Sequence, residues 1–321
     1  MSREAVLLVS VGASRREAEP WIAALAARLP GLQVAALGDD VDPAAVRYVA
    51  AWKPPHGALA RLPSLRAIFS LGAGVDHLLA DAALPPGVPV ARVVDPDLTA
   101  RMSEWVLLHV LLHHRQAGRY RRQQRESRWA DDAVQPAARA VRVGVMGLGV
   151  LGLDAAAKLG MVGFDVAGWS RTPKHLPGLA SFAGPDGLGP FLARTDILVV
   201  LLPLTPDTAG LLDASLFRHL ARDGRLGGPV LINAGRGGLQ READILRCLD
   251  DGTLLAATLD VFEREPLDRA SPLWRHPAVT ITPHNAALSD PAAIADLIAG
   301  QIEGVERGEA LRHVVDRRRG F

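Results

Sequence analysis

Short apolar runs recur along this chain, and each reads as a buried strand separated from the next by a helical or loop segment. In the first hundred residues the runs are AVLLVS, QVAAL, RYVAAW, AIFSL and PVARVV. A second series starts at VRVGVMG and continues through FDVAGW, DILVVLLPL, PVLINAG, LLAATLD and VTITPH. Strands that alternate with helices signal an α/β layer with parallel strands. Between the two series, residues 103–128 (SEWVLLHVLLHHRQAGRYRRQQRESR) predict one long helix, apolar first and basic later. The stretch from Ser289 to Glu309 predicts an amphipathic helix opened by a Ser289 cap, with Pro291 in its first turn.

A linking helix and a returning C-terminal helix imply a two-domain body with a cleft. Residues 1–103, completed by 287–321, form the expected substrate domain, and 104–286 the dinucleotide-binding domain. A length of 321 residues suits two domains, and 49% apolar residues suffice for both cores. The 36 basic and 35 acidic residues balance, which gives no global pull toward nucleic acid or membrane. A lone cysteine, Cys248, excludes an intramolecular disulfide and fits a reducing cytoplasm. The N-terminal apolar run has Glu4 before it and SRRE after it, which are not the flanks of a signal peptide, and no run reaches the length of a membrane span.

The sequence VRVGVMGLGVLGLDAAAKLG places Gly147, Gly149 and Gly152 in G-x-G-x-x-G register between a strand and a helix. That context makes it a dinucleotide loop: the first glycine for the tight turn, the second for close approach of the pyrophosphate, the third for helix–strand packing. Val150 and Leu151 lie within it. The next strand ends at Ser170-Arg171-Thr172-Pro173-Lys174, where an NAD enzyme would carry an acid for the ribose 2′-hydroxyl. A hydroxyl followed by Arg171 and Lys174 suits a 2′-phosphate, so NADPH is the expected cofactor. Leu202, Pro203, Leu204, Thr208, Ala234, Gly235 and Asp260 complete the expected cofactor side. Thr208 is equally suited to capping a following helix.

Arg236, Glu265 and His284 each follow a strand-like run. In open parallel sheets, ligands bind outside the carboxyl ends of the strands. There, Arg236 offers a planar fork for a carboxylate or a polarised carbonyl oxygen, His284 a general acid, and Glu265 a partner that favours the imidazolium. In the first series, AIFSLGAGVD turns through Gly72-Ala73-Gly74-Val75, a glycine-rich turn whose N–H groups suit an anion. Trp52 ends another strand of that domain as a candidate substrate contact.

The motifs LGAGVDHLL, GLGVLG, WSRTPK, LLPLTPDTAG, INAGRGG, LDVFEREPL and ITPHNAA, in this order, resemble the D-isomer-specific 2-hydroxyacid dehydrogenases, with the ending VDRRRGF and the GWSR segment nearest the glyoxylate/hydroxypyruvate reductase A branch. The resemblance implies a flavodoxin-like substrate domain, a Rossmann domain, a homodimer built through the cofactor domain, and NADPH-dependent reduction of glyoxylate or hydroxypyruvate. The family's catalytic Arg, Glu and His fall on Arg236, Glu265 and His284. The arginine-rich stretch from Arg115 to Arg128 then reads as a partner-facing element rather than a nucleic-acid site. His109 and His113 share a helix face, but without an HExxH acid or a third ligand no metal site is expected. The competing non-enzyme reading is a redox-sensing dinucleotide-binding regulator on the same fold.

Overall fold

The computed structural model describes residues 5–131 and 135–320, and Phe321 of the VDRRRGF ending lies outside them. The chain divides into two compact units, residues 1–98 with 289–321, and 99–288.

The first unit contains β1 (Val6–Val11), α1 (Arg15–Arg28), β2 (Gln33–Ala36), β3 (Val46–Trp52), β4 (Ala67–Ser70), α2 (Asp76–Leu79) and β5 (Val90–Ala91). Its sheet runs β2-β1-β3-β4-β5, and every pairing is parallel. That is the flavodoxin-like order of a doubly wound sheet. The strands are apolar nearly throughout because helices cover both faces. The C-terminal helix packs beside α1, where Ile294, Ile298 and Ile302 join Leu25, Tyr48 and Phe69 in one buried cluster.

The chain leaves this unit along α3 (Pro96–His114), followed by α4 (Ala117–Arg125). The second unit continues with β6 (Arg142–Met146), α5 (Val150–Val162), β7 (Asp165–Ser170), β8 (Ala180–Ala183), α6 (Gly184–Ala193) and β9 (Ile197–Val200). After these come α7 (Ala214–Arg218), β10 (Val230–Asn233), α8 (Glu242–Asp250), β11 (Ala256–Leu259) and β12 (Val279–Ile281), and α9 (Pro291–Glu306) returns to the first unit. The second sheet runs β12-β11-β10-β9-β6-β7-β8, all parallel, so the strand order reverses between β6 and β9. This is the Rossmann arrangement, and its switch point lies beside the glycine loop.

Three local expectations need correction. The single helix over 103–128 is two: α3 begins earlier, at Pro96, with Asp95 Oδ2 accepting from Leu98 N at 2.8 Å, and the chain breaks at Gln116, which sits at φ +54°. A left-handed residue cannot continue a right-handed helix, so α4 starts afresh. Aspartate, not serine, caps the last helix: Asp290 Oδ1 accepts from Ala292 N at 2.9 Å. Thr208 caps no helix. Its hydroxyl donates to Pro203 O at 2.7 Å and accepts from Thr205 N at 2.9 Å, closing the turn after β9.

Candidate active site

The glycine loop joins β6 to α5 as the motif requires. Gly147 sits at φ +111°, a conformation other residues rarely adopt, and a Cβ on Gly152 would lie 1.8 Å from Gly147 O. Around the missing Cβ of Gly149 there is open space, which leaves the backbone approachable. Val150 is exposed and Leu151 partly buried in the first turn of α5. At the end of β7, Ser170 is buried and donates to Thr172 O at 2.9 Å, while Arg171 stands exposed. Lys174 Nζ donates to Leu148 O, so this cation reaches back onto the glycine loop. The acid nearest Ser170 on β7 is Asp165 at its opposite end, paired with Arg194 at 2.7 Å. Leu202 is buried, with Pro203 and Leu204 partly exposed beyond it.

Three neighbouring strands deliver the charged trio. Arg236 follows β10 through buried Ala234 and Gly235, and its guanidinium donates to Gly235 O at 2.9 Å. Glu265 follows β11 and His284 follows β12. Glu265 Oε2 meets His284 Nδ1 at 2.8 Å, and its other oxygen accepts from Phe262 N at 3.3 Å. A carboxylate against Nδ1 sets that nitrogen as the donor, so Nε2 faces outward without a partner among the described residues. His284 is only part-exposed and sits at φ +52°, a strained conformation for a side chain of this kind.

Asp260 holds that strain in place. It is 1% exposed, and its carboxylate accepts from Thr282 Oγ1 at 2.6 Å, Asn285 N at 2.9 Å and Ala286 N at 3.0 Å. Its backbone oxygen accepts from His284 N at 2.8 Å. Asp260, expected on the cofactor side, is bound to the histidine loop from both flanks.

Sequence reading missed the support beneath Arg236. Buried Asn233 accepts from Gly235 N at 3.0 Å and donates to Gln240 Oε1 at 2.8 Å, and Gln240 donates to Val261 O at 2.9 Å. This ties the arginine loop to the exit of β11. Gly237 belongs to the same joint, because a Cβ there would lie 1.7 Å from Phe262 O. The available signal was the asparagine closing the otherwise apolar run VLIN. Buried amides of this kind are nearly always hydrogen-bonded.

On α3, His113 Nε2 lies 2.8 Å from Thr258 Oγ1, and burial pushes its pKa down to about 4. His109 stacks on Trp105 with ring centroids 4.3 Å apart.

In the first unit, Gly72 to Val75 form the turn between β4 and α2. The N–H groups of Ala73, Gly74 and Val75 take no hydrogen-bond acceptor among the described residues, which makes three successive donors. Trp52 packs on His77 with ring centroids 4.5 Å apart, and a Cβ on Gly72 would lie 2.7 Å from the Trp52 ring. The indole therefore walls the glycine turn.

Over residues 107–286 the sequence matches the family described as D-isomer specific 2-hydroxyacid dehydrogenase, NAD binding domain. A glyoxylate/hydroxypyruvate reductase A from Serratia proteamaculans is 44% identical over 308 residues, covering 93% of this chain and 95% of that protein. The NADPH-dependent glyoxylate/hydroxypyruvate reductase of Sinorhizobium meliloti, solved with NADP and sulfate, has a TM-score of 0.93 at 48% identity, over 99% of this chain and 100% of that one. A D-isomer specific 2-hydroxyacid dehydrogenase from Xanthobacter autotrophicus, in complex with NADPH and MES, gives 0.91 at 44% identity over 100% of both chains.

Proposed function

This chain belongs to the D-isomer specific 2-hydroxyacid dehydrogenase family, and from that premise we propose that it reduces small 2-keto acids with NADPH, glyoxylate to glycolate and hydroxypyruvate to D-glycerate. The observation that carries this reading is the 2.8 Å contact of His284 Nδ1 with Glu265, which leaves Nε2 open on a part-exposed ring.

The residues present fit the cofactor. Gly147, Gly149 and Gly152 with the N-terminus of α5 receive the pyrophosphate, and Arg171 and Lys174 take the 2′-phosphate at a strand end that carries no acid. When bound, the reduced nicotinamide supplies a hydride to the keto carbon. The chain's own groups do the rest. Arg236 clamps the substrate anion and polarises the carbonyl, and within the first unit the N–H groups of Ala73, Gly74 and Val75 are suited to a carboxylate. His284 Nε2 gives its proton to the carbonyl oxygen as that oxygen becomes a hydroxyl. The donating ring carries a proton on both nitrogens: Glu265 accepts from Nδ1–H and fixes the orientation, and giving up the Nε2 proton leaves the neutral Nδ1–H form.

The same reading includes a homodimer and a reducing cytoplasmic setting. Trp129 is 99% exposed just beyond the basic α4, and covering that indole in a dimer would take its apolar surface out of water. Among the described residues no helix is long and apolar enough to cross a membrane, and Cys248 is a free, buried thiol. The deciding assay is NADPH oxidation over a panel of 2-keto acids. Turnover of glyoxylate and hydroxypyruvate is expected, and absence of turnover on every member would leave a dinucleotide-binding regulator in its place.

A further inference from the structure

A cleft of about 230 Å³ lies within the first unit, between the ends of β4 and β5, the middle of α9 and the chain at Arg312–His313. Its apolar floor includes Phe69 and Ile298, and its polar wall is made by Arg92, Arg312 and Gln301. No carboxylate is among its lining residues. The guanidinium of Arg92 is part-buried and has neither a hydrogen bond nor an ion pair among the described residues, and burial lowers its basicity. A desolvated cation without a counter-ion is unfavourable, and an anion reaching it removes that cost. Gln301 spends its oxygen on Arg312 N at 2.9 Å, which leaves its Nε2 as a further donor. The wall is held in place because the tail pairs with the sheet: Ala91 bridges Val314, and Arg92 N donates to His313 O at 3.1 Å.

The size limits the ligand. A cavity of about 150 Å³ accepts benzene, whereas drug-sized ligands occupy upwards of about 300 Å³. A dinucleotide does not fit, and a small body with one charged head does. We propose that this cleft is a second binding site, separate from the catalytic one, for a small monocarboxylate with an apolar body, its carboxylate on Arg92 and Arg312 and its body on Phe69 and Ile298. Occupancy reaches the glycine turn through two further wall residues. Ser70 Oγ donates to Gly74 O at 2.8 Å and accepts from Gly72 N at 3.4 Å, while Val93 N donates to Gly72 O at 3.4 Å. The ligand therefore shifts the affinity of the turn for the substrate carboxylate, a consequence that rests on the substrate role given to Gly72–Val75 above.

Benzoate is the probe, with benzyl alcohol as its uncharged counterpart. Calorimetry on the Arg236→Ala chain removes the catalytic guanidinium, and the cleft substitutions then separate the cleft from the glycine turn. Benzoate is expected to bind this variant in the millimolar range, with benzyl alcohol far weaker. Adding Arg92→Met is expected to weaken benzoate about tenfold or more, the loss of a charge-assisted hydrogen bond. If melting curves show that Arg92→Met does not fold, the exposed Arg312→Met decides, with an expected loss of about threefold. Benzoate binding that vanishes with Arg236→Ala, or that ignores both cleft substitutions, overturns the site. In the otherwise native enzyme, benzoate is expected to change the KM for glyoxylate, and Arg92→Met to abolish that change. A KM effect indifferent to Arg92→Met overturns the coupling alone, since the calorimetry judges binding separately.

Discussion

At the exit of β11, Asp260 is 1% exposed and hydrogen-bonded on both carboxylate oxygens, and Glu265 is locked between Phe262 N and His284. At the exit of β7, on the same sheet, Arg171 projects into solvent and Lys174 lies partly exposed over the glycine loop. The difference matches the work proposed for each end. Proton transfer needs an imidazole fixed to within a fraction of an ångström before the substrate arrives, so its loop is tied down through buried groups. A phosphate carries enough charge to be recognised by long, hydrated side chains, so Arg171 needs no such frame. On the proposed roles, rigidity is concentrated at the proton donor and exposed charge at the end of β7 that would select the cofactor.

Four substitutions or titrations bear on that contrast. His284→Ala has the largest expected effect, a fall in kcat of about 10²–10⁴-fold measured with glyoxylate and NADPH. A variant retaining near-normal kcat would remove the general-acid role. Asp260→Asn comes next, with kcat expected to drop on the order of 10²-fold, because misplacing the histidine loop suffices. If kcat stayed put while only thermal stability fell, the rigid corner would be structural rather than catalytic. Arg171→Ala should raise the KM for NADPH about tenfold and leave that for NADH nearly unchanged. Equal changes for both cofactors would show that the exposed end of β7 does not select.

The one effect on stability rather than activity comes from the support under β11. His113, held against Thr258, has a folded pKa of about 4, below the ordinary 6.5, because burial disfavours the charged ring. The unfolded chain therefore binds the proton more readily. The stabilisation is fully present above pH 6.5 and is lost as pH falls through about 4, a change of about 3 kcal/mol. Denaturant titrations of wild type and His113→Gln between pH 7 and pH 4 should converge as the pH drops. Parallel curves would place the pH dependence elsewhere.

Much of this architecture was legible because parallel strands covered on both faces are apolar runs, and runs can be read without knowing their neighbours. The glycine loop was legible for a related reason: its φ at Gly147 and its contact at Gly152 are demands on single positions within one short motif. The break at Gln116 was not, because a glutamine carries no local signal for a left-handed backbone. The edge strand β8, with its mixed sequence ASFA, also escaped notice, since its identity depends on pairing with β7.

By itself the sequence carried the two α/β series, the dinucleotide loop, the cationic end of β7 and the candidate trio Arg236, Glu265 and His284, all properties of residue type and short-range order. Only the tertiary structure decided what holds the trio. Asp260 and His284 are 24 positions apart in the chain yet share a backbone bond of 2.8 Å, and Gln240 reaches 21 positions to Val261. Such partners are chosen by strand order and register, and these arise from burying all the strands together rather than from any one stretch of chain.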